Sequence, residues 1–376
     1  MGPGPSDVHP RVLQAMIAPL VGHLDPYFLK VMDETKALLQ YVFETTNEFA
    51  IPVSGTGSAG METCLCNLIE PGDEVVVCVG GYFADRMCQM VERCGGRLIR
   101  MAGAWGKPFA PDEIAKRLQT CHPKLVAIVH AETSTGVLQP LDEIAHVVHE
   151  HGALFLVDTV ASLGGAHVKV DAWGIDACYS GSQKCLSCPP GLAPLTLNDR
   201  AMSAIQNRKT KVQSWYFDMS LVKNYWGGDR VYHHTAPVNM NYALREALLI
   251  VYEEGLEHGI ARHALNYRAF KAGIEAMGLK FFVDEPYRAP MINPILAPDG
   301  IDELKVRRRL LTEYGIEIGG GLGALKGKAW RVGLMGQSSS KDHVLLFLSA
   351  LEQVLRAEGH RVKDSGVTAA SGVYSV

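Results

Sequence analysis

The sequence lacks several features, and each absence closes off a class of function. No run of about 18 apolar residues exists, so no segment is built to cross a membrane as a helix. Basic charge is not in excess. The 36 Lys and Arg stand against 40 Asp and Glu, a net charge of −4, whereas a nucleic-acid partner favours a strongly basic face. Charged residues are 20% and apolar residues 47% of the chain, the balance of an ordinary globular protein, and no charge block, repeat or low-complexity linker interrupts it. The one CxxC, Cys185-Leu186-Ser187-Cys188, has no second pair, and Cys64 and Cys66 have CxC spacing on a predicted helix, so a metal site is not expected. His146, His149 and His151 lack HExxH spacing and read as a solvated helix face. All nine cysteines lie at or before Cys188. Their odd number and their place in apolar runs read as reduced core thiols. The amino terminus shows no basic-then-apolar signal pattern. Together these give a cytoplasmic expectation.

A chain of 376 residues suggests about two domains. Its middle alternates short β-branched runs with longer amphipathic stretches. Strands are expected at 74–79, 125–130, 153–158, 177–181 and 192–197, with helices such as 112–120 and 141–151 between them. That alternation predicts an α/β fold with a mostly parallel central sheet sandwiched by helices. After Tyr232 the pattern changes to a long helical region over 242–277, broken by a polar turn at Gly255–Gly259. Extended runs at 291–296 and 316–318 follow, and then a last helix over 341–357. The expected organisation is an N-terminal segment 1–15, a large domain 16–264, a smaller α+β domain 265–361 and a disordered tail 362–376.

Five features fall beside predicted strand ends, where ligands of such sheets bind. Ser54-Gly55-Thr56-Gly57-Ser58-Ala59-Gly60 leads into a helical run, and its free N–H groups either cradle a phosphate or merely cap the helix. Asp158 ends the apolar run Ala153–Val157; it suits a Mg²⁺ ion, a ribose, a pyridinium nitrogen or a plain cap. Lys184, in Tyr179-Ser180-Gly181-Ser182-Gln183-Lys184, follows a buried strand. A lysine so placed can lose its proton and form a Schiff base. It lies 184 − 158 = 26 residues after Asp158, one α/β crossover, so both reach one sheet edge. Arg331, in Trp330-Arg331-Val332-Gly333 on a small-domain strand, can grip a carboxylate bidentately or serve an ion pair. Tyr232-His233-His234-Thr235 is a polar cluster between the domains, suited to hydrogen bonding rather than to metal.

Taken together these segments resemble the class V branch of the fold-type I enzymes that use pyridoxal 5'-phosphate, and within it the alanine–glyoxylate and serine–pyruvate aminotransferases. The resemblance runs from Gly2-Pro3-Gly4-Pro5-Ser6 to about His360. It includes Gly22-His23, the Thr56-Gly57-Ser58 turn, the runs His130–Leu141, Val157–Gly165 and Tyr179–Lys184, then Tyr232–Val238 and Gly319–Gly336. It implies that Lys184 is the Schiff-base lysine and proton shuttle and that Asp158 keeps the ring nitrogen protonated. Phe83, where some members carry Trp, would stack on the ring, and Thr133 would contact the ring hydroxyl region. Thr56, Gly57, Ser58 and Gln183 would cradle the phosphate, which Tyr232 and Thr235 would reach from the neighbouring subunit of a homodimer. Arg331 would hold the substrate carboxylate, with Gly4 and His23 beside the substrate.

The implied reaction is ping-pong transfer of an amino group from alanine or serine to glyoxylate or pyruvate. Within the family the alternatives are ureidoglycine–glyoxylate transfer and a lyase or desulfurase. The absence of cysteine after Cys188 counts against a desulfurase, which needs a thiol on a small-domain loop. The ureidoglycine branch, by the family pattern, carries Gln and Asn at the positions of His23 and Tyr232.

Overall fold

Val75–Val79, Leu125–Ile128 and Leu154–Val157 are apolar at every position and fully buried. Such runs form strands covered on both faces. In the computed structural model, which describes residues 1–375, they lie at the centre of a seven-stranded sheet. The strands of the large domain are β1 (Phe49–Ser54), β2 (Glu74–Val79), β3 (Arg97–Ala102), β4 (Leu125–Val129), the short hairpin β5 and β6 (Ala131–Glu132 and Val137–Leu138), β7 (Leu154–Asp158), β8 (Ala177–Tyr179) and β9 (Leu192–Leu197). The sheet order is β1-β9-β8-β7-β4-β2-β3. Strands β3, β2, β4, β7 and β8 are parallel, and β9 runs against both its neighbours. The side chains alternate as a pleat requires. Val75, Val77, Leu154 and Leu156 enter one core layer, while Val76, Cys78, Phe155 and Val157 enter the other.

The crossovers deliver the ends of β4, β7 and β8 to one edge. There Val129 pairs with Asp158, and Asp158 with Tyr179. The long helical region divides where expected: one helix ends at Glu254, Gly255 turns with φ 83°, and a second helix runs over Leu256–Ala276. That second helix passes unbroken through residue 264. It packs on a four-stranded antiparallel sheet of β10 (Lys280–Phe281), β11 (Ile292–Leu296), β12 (Gly319–Gly320) and β13 (Ala329–Gly333), in the order β10-β11-β13-β12. Phe270, Trp330, Val332, Phe347 and Leu351 are the centre of this second core. Met1 joins it, its carbonyl accepting from Gly333 N at 2.9 Å.

The tail differs from the disordered segment expected at 362–376. Residues Gly366–Tyr374 form a helix, so the helix Lys341–Ala357 is not the last. Ser365 caps it by accepting from Thr368 N. Ala370 is fully buried, and the Tyr374 hydroxyl donates to Asn266 Oδ1 at 2.7 Å. The reason is close packing: a side chain at Gly273 would lie 2.9 Å from the Gly366 carbonyl, so the two backbones meet where neither residue carries a Cβ.

Candidate active site

Asp158 sits at the carboxyl end of β7 and is 4% exposed. The Tyr179 hydroxyl donates to its Oδ2 at 2.7 Å and Val160 N to its Oδ1 at 2.8 Å. Burial pushes its pKa up to about 6; these two bonds and Lys184 pull it back, while nearby Glu132 pushes it further up. Lys184 follows β8 by five residues. Burial pulls its amine down to about 8; the Arg331 charge acts in the same direction, and Cys185 and Asp158 oppose it. Its Nζ donates to the Pro3 carbonyl. The N-terminal strap therefore lies across the lysine, and Ser6 fastens it: Ser6 N donates to Gln183 O at 2.9 Å and Ser6 Oγ to Lys184 O at 2.6 Å.

One cleft gathers Thr56, Gly57, Ser58, Phe83, Thr133, Asp158, Gln183 and Lys184, eight of the residues singled out from the sequence. Its floor is the start of the twelve-residue helix Gly57–Leu68. The Thr56 side chain makes no capping bond there, and Ala59 N is the first amide to turn back, onto Thr56 O at 2.7 Å. Gln183 Oε1 is buried beside it without a hydrogen-bond partner. Gly4 touches Lys184. Arg331, 9% exposed on β13, has its Nε tied to Gly320 O at 2.7 Å and forms no ion pair among the described residues. Burial lowers its pKa and Glu132 opposes this.

Five expected residues are not part of the cleft lining in the single chain: Gly4, which touches Lys184, Arg331, and the group His23, Tyr232 and Thr235. Tyr232 and Thr235 are exposed. Tyr232 packs on His23, with ring centroids 4.9 Å apart, and the Tyr225 hydroxyl donates to His23 O at 3.0 Å.

Two residues of the cleft wall escaped the sequence reading. Arg86 donates to Ser58 Oγ at 2.8 Å and lies 5.0 Å from the Phe83 ring centroid. It follows Phe83 by one helical turn, a spacing that puts both on one face. Glu132 is buried; Ser134 Oγ donates to it at 2.6 Å and Ala84 N at 3.3 Å, so it holds the start of the helix that carries Phe83. A carboxylate directly before Thr133 at the end of a buried strand was the available signal.

This cleft has counterparts. Residues 10–335 match the family model described as aminotransferase class-V. The crystal structure of an alanine–glyoxylate aminotransferase from Nostoc sp. is 50% identical, with TM-score 0.94, covering 95% of this chain and 94% of that one. The structure of a ureidoglycine–glyoxylate aminotransferase from Bacillus subtilis is 43% identical, with TM-score 0.98, covering 100% and 97%. The alanine–glyoxylate aminotransferase of Callithrix jacchus is 40% identical over 360 residues, covering 95% of this chain and 87% of the relative. An aspartate at one strand end and a lysine in the loop beyond the neighbouring strand, in a fold shared along nearly the whole chain with these enzymes, lead to one conclusion: the chain belongs to the class V aminotransferases and has their fold-type I architecture.

Proposed function

We propose that this aminotransferase uses pyridoxal 5'-phosphate to move the amino group of a small L-amino acid, alanine or serine, to glyoxylate or pyruvate, and that it works as a homodimer. The observation that carries the reading is Lys184: a half-buried amine whose pKa desolvation pulls down to about 8, in the same cleft as a buried carboxylate and a helix N-terminus with no side-chain cap.

The cleft suits a flat phosphorylated ring. The Gln183 Oε1 and the uncapped start of the helix at Thr56 are left without a protein partner that would use them, and Phe83 lines the same cleft with an aromatic ring. When bound, pyridoxal phosphate supplies an aldehyde for the exchanged amino group and a protonated ring that draws electrons from the substrate Cα. The amides of Gly57 and Ser58 would meet the phosphate at the positive end of the helix dipole. Asp158 would stabilise positive charge on the ring nitrogen. Lys184 Nζ would hold the cofactor's aldehyde carbon and, once the substrate amine had displaced it, would be free to move the Cα proton; an amine near pKa 8 suits that task near neutral pH. Arg331, with Nε engaged, keeps its terminal N–H groups for the substrate carboxylate.

The homodimer rests on a different surface. Ile17, Leu20, Tyr27, Val231 and Tyr232 are large apolar side chains more than half exposed. Contacts such as His23 on Tyr232 and Asn239 Nδ2 with Met16 O draw their segments together. A patch of this kind marks an interface, and a second copy would bring Tyr232 and Thr235 to the partner's phosphate. The nine unpaired thiols favour a reducing compartment, the cytoplasm.

Borohydride reduction of the reconstituted protein should leave a phosphopyridoxyl group on the Lys184 peptide; a label on another lysine overturns the assignment. A half-reaction screen with alanine, serine, glycine, aspartate and ureidoglycine, followed by absorption, should show alanine or serine reacting and glyoxylate restoring the starting spectrum.

A further inference from the structure

Ser187 has φ +52°, a left-handed backbone conformation that serine adopts rarely and that persists only where the surroundings impose it. The surroundings here come from three parts of the chain. Ser187 Oγ accepts from Gln337 N at 2.8 Å, in the loop that follows β13. It lies 3.2 Å from Ser6 Oγ, in the strap whose hydroxyl already donates to Lys184 O. Its own N–H donates to Lys184 O at 3.0 Å. Gly336, φ +53°, presses so closely on it that a Cβ there would collide with Ser187 Oγ. The hydroxyl is 5% exposed as part of its residue, so water does not substitute for these partners.

The same loop is gripped from its other side. Arg262 Nη1 donates to Gly336 O and Ser339 O, each at 2.8 Å, and His263 Nε2 accepts from Gly336 N at 2.9 Å. Helix Leu256–Ala276 therefore holds the loop to the small domain, and Ser187 is the side chain of the lysine loop that holds it to the large one. Arg331 is six residues before Gln337 and Lys184 three before Ser187.

We propose that Ser187 is a positioning residue: its hydroxyl latches the loop after β13 to the lysine loop and so sets the separation of Arg331 from Lys184 at which a bound carboxylate places its Cα beside Nζ. The proposal rests on the reading of Arg331 as the carboxylate clamp. It gives a role to the Cys185-Leu186-Ser187-Cys188 segment, in which the buried thiols serve packing and the serine serves geometry.

The test compares Ser187→Ala and Ser187→Gly in the reconstituted enzyme. Both remove the hydroxyl, but only glycine relieves the left-handed backbone. Each variant should raise KM for alanine and for glyoxylate by about tenfold, because a small misplacement is costly when two groups must meet one substrate. Saturating kcat should change by less, and borohydride labelling of Lys184 should be retained. Hydrogen exchange should speed up over 333–340 in both variants and not in the helix Gly57–Leu68. Unchanged KM and exchange in both variants, or a defect in Ser187→Ala that Ser187→Gly restores, overturns the latch, since the second result assigns the defect to backbone strain. A wild-type enzyme that turns over normally while Arg331→Lys leaves both KM values unchanged strikes the clamp reading instead, and the exchange result then decides the latch by itself.

Discussion

Gly4 lies against Lys184 so closely that a Cβ at residue 4 would stand 2.6 Å from both the Nζ and the Cδ of the lysine. Its φ of +101° is also one that side chains avoid. The glycine thus lets the strap cross the reactive amine, and Pro3 O accepts from that amine one residue earlier. Gly4→Ala should lift the strap. The expected outcome is a loss of about a hundredfold in kcat/KM, as for other misplacements of about 1 Å, together with faster hydrogen exchange at residues 3–7 in a protein that melts within a few degrees of the wild type. Full activity in that variant would show that the strap does not position Lys184.

Asp158 gives a pH-dependent prediction for the cofactor-free protein. Burial raises its pKa from 3.8 to about 6, so the folded chain holds a proton that the unfolded chain releases. Stability from this group is therefore complete below about pH 4 and is lost as the pH climbs through 6, by an amount on the order of 2–3 kcal/mol. Asp158→Asn lacks this term. The melting temperature of the apo variant should gain on the apo wild type between pH 4 and 7, and cofactor binding should shrink the difference, because a positively charged ring nitrogen stabilises the wild-type carboxylate alone. The loaded variant should keep the cofactor and lose orders of magnitude in rate. A melting difference that does not vary with pH would mean that Asp158 is already ionised at low pH.

Arg331 is buried, and its Nε is bonded to Gly320 O rather than to a carboxylate. Arg331→Lys loses the planar fork. A charge-assisted bond of this kind contributes on the order of 1.5–3 kcal/mol, so KM should rise by roughly ten- to a hundredfold for the donor and the acceptor alike, since both present the same carboxylate. A rise for one substrate only would mean that the other carboxylate binds elsewhere.

What the sequence disclosed and what it hid divide along physical lines. Asp158 was legible because it ends a wholly apolar strand, and Lys184 because it follows the next buried strand after a few small polar residues, with one crossover of chain between the two. Strand β3, Arg97-Leu98-Ile99-Arg100-Met101-Ala102, escaped notice because an edge strand is half solvated and mixes charge with apolar residues. The tail differs for a related reason: Gly366, Thr368, Ser371 and Gly372 are weak helix formers, and nine residues are too few to hold a helix in isolation. Small size is what lets that helix approach Gly273 closely, so tertiary packing outweighs local preference. Ser187 was hidden inside a pattern that first reads as a pair of thiols, since a sequence does not display backbone strain.

The last prediction concerns the choice of donor. His23 and Tyr232 are 209 residues apart in the chain and pack with tilted rings, centroids 4.9 Å apart, which makes them one surface. The ureidoglycine branch, by the family pattern, has Gln and Asn at these two positions, and those amides would hydrogen-bond a ureido group. An imidazole and a phenol in their place are bulkier and lack the paired donor and acceptor of an amide; a site discriminates strongly when it must satisfy such groups and weakly when it only fits apolar shape. In the proposed homodimer Tyr232 would be presented to the partner's cleft, and the pair would narrow the space beyond the substrate Cα to about a methyl or hydroxymethyl group. With glyoxylate as acceptor, kcat/KM for alanine or serine should exceed that for ureidoglycine. The double variant His23→Gln, Tyr232→Asn should improve ureidoglycine by about tenfold, roughly 1.4 kcal/mol in transition-state binding, with a smaller effect on alanine. Ureidoglycine outperforming both amino acids by tenfold in the wild-type enzyme would assign this chain to the ureidoglycine reaction and reduce the His23–Tyr232 contact to interface packing.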